Sequence, residues 1–336
     1  MRYLFELLKD NQTIPKSEII GCLNSEKVEY KILDSNFDIL LIETNADPKK
    51  IKNIGNRLAY TYHVDEFLFS CELDEKKLTN CIKNNPISKK GSIAIRYRKR
   101  TNNTDTQKYM KMITEIYPEN KKVKLTNPDN EIRVIFSEKT IYAGVKLIEI
   151  NRTDYESRRA HFRPFFSPIS MHPKVARALI NISCVKKGDT LYDPFCGTGG
   201  ILLEAGLMGI NVVGSDIEEK MIKGCKKTLD YYKIKNYKVF CSDIGKIGLK
   251  VKNVDAIVTD FPYGRCTTTK GENIEELYTR SFENIFKILK KGKKAVIGLS
   301  NKDIIDIGGE WLKLDEIHKI RVHKSLTRYF VVYKKP

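Results

Sequence analysis

The chain has 336 residues, with 60 Lys and Arg against 42 Asp and Glu, a net charge of +18 and 8 cysteines. That length exceeds one ordinary compact domain, and the charge points to a polyanionic partner, nucleic acid first, unless a lysine-heavy composition simply decorates every surface evenly. The opening MRYLFELLKD breaks its apolar run at Glu6, Lys9 and Asp10, which argues against a signal peptide or a membrane anchor; the cysteines form neither CxxC pairs nor Cys/His clusters, so no metal is expected and the thiols of a cytoplasmic protein are.

The first half carries the strand-like runs FDILLIET, GSIAIRYR, EIRVIFS and TIYAGVKL and the helical pattern DTQKYMKMITEIY, a mixture that predicts one or two small α+β modules. In GSIAIRYRKR the period of two places Arg96, Arg98 and Arg100 on one face, a phosphate rail or a solvated edge. The next stretch, NRTDYESRRAHFRPFFSPISMHP, is rich in Pro, Arg and aromatic residues without clean periodicity, and reads as the linker, residues 151–172. Its Arg158, Arg159 and Arg163 join the expected nucleic-acid contacts.

From about Lys186 the text alternates short apolar runs with helical patterns, which predicts an open parallel sheet with crossovers on both faces. After Ser300, WLKLDEIHKIRVHKS and LTRYFVVYKK lack a long helix between them and read as a closing antiparallel hairpin. In LYDPFCGTGGILLEAG an apolar run ends at Asp193, and Gly197, Gly199 and Gly200 open the way to close backbone approach by a ligand. Neither GxGxxG nor a Walker lysine is present, so the turn favours an amine-bearing or cationic ligand over a pyrophosphate. Asp193, Asp216, Asp243 and Asp260 each end an apolar run, so four carboxylates converge on one crevice.

From Asn151 to Pro336 the chain resembles a class I S-adenosylmethionine-dependent methyltransferase. The resemblance implies a Rossmann-like α/β domain at residues 173–336, with a mostly parallel seven-stranded sheet. It also implies S-adenosylmethionine as cofactor, with Asp193, Cys196, Gly197, Thr198 and Gly199 beside the methionine moiety, Asp216 and Ile217 at the ribose, and Asp243 and Ile244 at the adenine, Asp260 closing the pocket. The stretch DFPYGR resembles motif IV of amino methyltransferases, (Asp/Asn/Ser)-Pro-Pro-(Tyr/Phe), with Phe261 where the first proline is usual. An exocyclic amine is a poor nucleophile because its lone pair is delocalised into the ring. A carboxylate on Asp260 and the carbonyl of Phe261 could accept both amine hydrogens and leave the lone pair free to react, with Pro262 fixing the turn and Tyr263 stacking on the base.

The segment VKLTNPDNEIRVIFSEKTIYAG resembles the signature of THUMP domains, which implies an RNA-binding domain at residues 45–150, after a ferredoxin-like α+β region at residues 1–44. THUMP ahead of a DxPY methyltransferase is similar to the archaeal tRNA guanine-N2-methyltransferases acting on guanosine 10. The implied activity is transfer of one or two methyl groups to a tRNA guanosine, by a chain whose sequence calls for no membrane, helper protein or obligate oligomer. A position-6 guanine methyltransferase, a DNA adenine or cytosine amino methyltransferase, and a non-catalytic tRNA-binding protein with a vestigial cofactor fold remain as alternatives.

Overall fold

The computed structural model describes residues 1–101, 105–118, 121–167, 170–249, 251–263, 273–323 and 326–336. They form two compact units. The first comprises residues 1–10, 28–56 and 61–150; the second comprises 11–27, 57–60 and 151–336.

The first unit is built on one seven-stranded sheet. Its strands are β1 (Arg2–Leu7), β2 (Tyr30–Ser35), β3 (Ile39–Thr44), β4 (Thr61–Glu72), β5 (Ile93–Lys99), β6 (Asn130–Phe136) and β7 (Thr140–Glu149). They run in the order β2-β3-β1-β4-β7-β6-β5, antiparallel except for the parallel pair β5 and β6. The strands of residues 1–44 and those of the segment after it therefore share one ladder. The helices Glu75–Asn84 and Gln107–Ile116 turn Leu78, Ile82, Tyr109 and Ile113 onto a core with Ile132, Val134 and Phe136. Inside the sheet, Glu6 and Asp65 are buried acids held by Arg133 and, at Glu6, by Arg100 at 2.7 Å and His63 at 3.2 Å.

The second unit carries β8 (Thr190–Asp193), β9 (Asn211–Asp216), β10 (Tyr237–Cys241), β11 (Val254–Asp260), β12 (Leu289–Leu299), β13 (Lys313–His323) and β14 (Leu326–Lys334). Their order is β10-β9-β8-β11-β12-β14-β13, parallel through β12 and antiparallel at β14 and β13, as the hairpin-like C-terminal text predicts. The central β11 reads VDAIVTD because both of its faces are covered: Ala256, Ile257 and Val258 are fully buried. The helix Ile274–Ile288 packs Leu277, Phe282 and Ile285 onto that sheet; Asn273 caps its first turn by accepting from the Glu275 amide.

The helix Ile14–Ser25 belongs to this second unit although it lies in the first tenth of the chain. Its Glu18 is fully buried and accepts from the amides of Ala59 and Tyr60 at 2.8 Å and from Asn181 Nδ2 at 2.9 Å. Burial pushes that carboxyl up to about 7 despite these three donors.

Candidate active site

Strand order reverses between β8 and β11, so the loops leaving their carboxyl ends diverge and open a crevice. A cavity of about 260 Å³ lies there, lined by Asp193, Asp216, Asp243 and Asp260 together with Cys196, Gly197, Thr198, Ile217 and Ile244. The four strand-end carboxylates thus do converge. Gly199 stands behind the lining, at φ +82°, and leads the chain into the helix Gly200–Leu207; a β-carbon there would lie 2.6 Å from Cys225 Sγ.

Each carboxylate is held differently. Asp193 accepts from Thr259 Oγ1 at 2.7 Å and from the Phe195 amide at 3.2 Å, and its burial, reinforced by the charges of Asp216 and Asp260, pushes it up to about 7. Asp216 accepts from the amides of Gly197 and Glu218, both at 2.9 Å, which fixes both its oxygens at the rim; burial raises it nonetheless. Asp243 pays a desolvation penalty too, but the Arg280 guanidinium grips both its oxygens at 2.6 and 2.9 Å and holds it below the usual carboxylate range. Thr198 Oγ1 meets Ser170 Oγ at 3.1 Å, tying the glycine loop to the segment that precedes the helix Pro173–Ile182.

The Asp260 turn forms the far wall of this cavity. Phe261 answers the question its sequence position raised. Its ring is 1 % exposed and sits among Phe195, Tyr278 and Phe282 at centroid distances of 5.1, 5.0 and 5.4 Å, while its amide donates to the Gly298 carbonyl at 3.0 Å, a bond proline lacks the hydrogen to make. The turn is anchored by packing and by that bond where a Pro-Pro pair would be anchored by ring constraint. The Pro262 carbonyl accepts from Tyr278 Oη at 2.6 Å. The Tyr263 hydroxyl donates to Asp260 Oδ1, and the Arg328 guanidinium pairs with Asp260 Oδ2 at 3.2 Å. Burial raises the Asp260 carboxyl above its ordinary value, and Arg328 and Tyr263 offset only part of that rise. Gly264 and Arg265 lie outside the described residues.

Sequence reasoning did not find Arg280, Arg328, Thr259 or Gly298. A lone Arg, Thr or Gly in a helix or strand carries no periodic signal; only the register that sets Gly298 opposite Asp260 gives it meaning.

The arginines expected to meet RNA divide. Arg96, Arg98 and Arg159 are exposed, Arg96 bonding the Leu125 carbonyl and Arg98 reaching Glu6 at 3.3 Å. Arg100 corrects the picture of a uniform exposed stripe: its side chain is 7 % exposed, because it neutralises Glu6, donates to the Leu7 carbonyl and lies over the Tyr62 ring. Arg158 is likewise spent on fully buried Glu204, which Arg177 also holds. Arg163 is buried against Gly200, its Nε on the Arg158 carbonyl and its two terminal nitrogens without a hydrogen-bond partner among the described residues.

Over its full length the chain is 34 % identical to the tRNA (guanine(10)-N2)-dimethyltransferase of Methanothermobacter thermautotrophicus, covering 100 % of both proteins. The chain belongs to this family. It is also 36 % identical to the enzyme of the same name from Pyrococcus abyssi, over 72 % of this chain and 74 % of that one. The RMKL-like methyltransferase domain family matches residues 160–329, and a DNA methylase family matches residues 9–227, ending before Asp260. The crystal structure of TrmN from Thermus thermophilus superposes with a TM-score of 0.57 over 100 % of both chains at 17 % identity, a likeness of fold. The expected Rossmann-like class I methyltransferase fold is therefore the observed one. No helix among the described residues is long and apolar enough to cross a membrane.

Proposed function

We propose that this chain transfers one or two methyl groups from S-adenosylmethionine to the N2 amine of guanosine 10 in tRNA. One observation carries the reading: the Asp260–Tyr263 turn, built to hold a planar amine, is a wall of the same cavity that gathers Asp193, Asp216 and Asp243. Buried carboxylates suit a ligand with an ammonium and a sulfonium, and Asp216, fixed by two amides, presents acceptors to vicinal hydroxyls. Asp193, Asp216 and Asp243 would hold the cofactor, with Cys196 to Gly199, Ile217 and Ile244 shaping its bed. When bound, the cofactor supplies an electrophilic methyl group.

The protein's part is to make the amine nucleophilic. Asp260 would accept one amine hydrogen and the Phe261 carbonyl the other, which turns the nitrogen lone pair out of conjugation; once that nitrogen has taken the methyl group from sulfur, whose S–C bond breaks to leave a neutral thioether, its surplus proton would pass to the Asp260 carboxylate, whose burial raises its basicity. Tyr263 and Pro262 wall the base site. Residues 45–150 act as a THUMP-like RNA-capturing domain following the 1–44 region, and residues 173–336 carry the chemistry after the 151–172 linker, in a cytoplasmic enzyme.

An unmodified tRNA transcript incubated with the protein and labelled S-adenosylmethionine tests this by nucleoside mass spectrometry. N2-methylated guanosine mapped to position 10, and lost from a transcript with adenosine there, is expected. Methyl groups found only at position 6, or only on a DNA duplex supplied in parallel, would replace this reading.

A further inference from the structure

Arg328 on β14 lies beyond every motif that pointed to the site, yet it touches the residue at its centre. Its Nη1 pairs with Asp260 Oδ2 at 3.2 Å, and its guanidinium carbon stands 5.2 Å from the centre of the Tyr263 ring. The side chain is 12 % exposed, and its Nε is buried with no hydrogen-bond partner among the described residues. A guanidinium has five N–H donors in a rigid fork, so an arginine that spends one on a carboxylate keeps others aimed alongside. Nε itself has no surface that a ligand could reach, so the donors open to one are on the outer nitrogens of the fork.

The hydrogen-bonding edge of each base decides what could complete it. Guanine presents, in order, an amine donor at N2, a donor at N1–H and an acceptor at O6. Adenine presents an amine donor at N6 beside a bare N1 acceptor, and cytosine an amine donor at N4 beside a bare N3 acceptor. The pair formed by Asp260 and Arg328 offers two carboxylate acceptors followed by a guanidinium donor, the complement of guanine alone. Adenine or cytosine set with its amine on Asp260 would turn a lone pair onto the second carboxylate oxygen, a repulsion that opposes the wrong base.

We propose that Arg328 reads the guanine O6 with an N–H left over from its ion pair with Asp260, so that this pair selects guanosine among the amine-bearing bases. The inference rests on the guanosine N2 reading of the same site. Arg328 then has two tasks: it orients the carboxylate that acts on the amine, and it holds the far end of the base edge. The Tyr263 ring beneath the guanidinium limits where its fork can point.

The test compares methylation of two tRNA transcripts, one with guanosine at position 10 and one with 2,6-diaminopurine, which keeps the N2 amine but replaces O6 by an amine and N1–H by a bare nitrogen. The intact protein should favour guanosine in kcat/KM by about 10⁴-fold or more, the scale at which sites built to bond a polar group reject analogues that cannot pair. Arg328→Ala and Arg328→Gln should narrow that ratio by at least about tenfold, and Arg328→Lys, which keeps the charge but loses the fork, should fall between. S-adenosylmethionine affinity, measured by calorimetry, should be unchanged in each variant and certifies folding. An unchanged ratio, with both transcripts slowed equally, would show Arg328 to be a structural counter-ion only and overturn the proposal. Failure of the intact protein to methylate the guanosine transcript would instead remove the functional reading, and this inference with it.

Discussion

Gly298 on β12 lies directly opposite Asp260 on β11, and a β-carbon on it would stand 2.3 Å from Asp260 Oδ1. The glycine therefore reserves the space in which the carboxylate sits between Tyr263 and Arg328. Gly298→Ala should push that carboxylate off its two partners and lower kcat by about 100-fold, the usual loss when a transition-state acceptor is misplaced. Cofactor affinity should change little, since the other three carboxylates are untouched. Single-turnover kinetics beside calorimetry checks this; wild-type turnover in the variant would show that the position of Asp260 is uncritical.

Phe261→Ala removes a ring packed on Phe195, Tyr278 and Phe282, and should cost about 3–5 kcal/mol of stability, the range for emptying an aromatic core position. Phe261→Pro would bring this turn closer to the usual family pattern, yet it should also destabilise, because it loses both the ring and the amide bond to Gly298. Urea unfolding of the two variants measures both. A Phe261→Pro variant as stable as the parent would contradict the packing account.

The second unit was largely legible in the sequence because parallel strands covered on both faces read as apolar runs, and β8, β9 and β11 each stop at an acid, with Asp243 two residues beyond β10. The first unit was harder. β4 escapes notice since His63, Asp65 and Glu66 interrupt its apolar text, and Asp65 is tolerated there only through Arg133, a partner 68 positions away. The affiliation of the helix Ile14–Ser25 was equally hidden, because it is fixed by Glu18 bonding to Asn181, far along the chain. At the site, the strand-end acids could be read from pattern, whereas Arg280 and Arg328 become visible only when helix and strand are folded against them.

Asp193 should make cofactor binding depend on pH. Its folded value, about 7, lies above its unfolded value of 3.8, so its contribution to stability is fully present below pH 3.8 and is lost as pH rises through 7. A cationic ligand prefers the ionised form, so S-adenosylmethionine affinity should rise by up to about tenfold between pH 6 and 8. Glu18, also near 7, adds the same slope to stability but does not line the cavity. Asp193→Asn should flatten the binding profile, as followed by calorimetry across that range. A steep profile persisting in the variant would assign the dependence elsewhere.

Arg280 grips both oxygens of Asp243, so the expected adenine-side acid is a positioned carboxylate and not a free one. Arg280→Ala should let it rotate and raise its proton affinity, weakening S-adenosylmethionine about tenfold, while Arg280→Lys should recover part of the loss. Equal affinity in the alanine variant would show the pair to be incidental to binding.

The arginines of β5 and its end should separate by burial. Arg100 shares the buried Glu6 with Arg133 and Arg98, so Arg100→Ala removes one charged hydrogen bond from a carboxylate that keeps other cations and should cost about 1.5–3 kcal/mol of stability. Arg96 is exposed, and its loss should leave stability within about 1 kcal/mol, whereas Arg98, exposed but reaching the buried Glu6, should cost more than Arg96 and less than Arg100. If they meet tRNA phosphates, the Arg96→Ala, Arg98→Ala double variant should weaken binding to many tRNAs alike and reduce the slope of log affinity against log salt by roughly 0.7 to 0.9 per lost contact. Filter binding over a salt series, with thermal melts of the same variants, reads both effects. A double variant whose salt slope is unchanged would remove these two residues from the RNA surface, and an Arg100→Ala variant that melts like the parent would show that Glu6 does not need it.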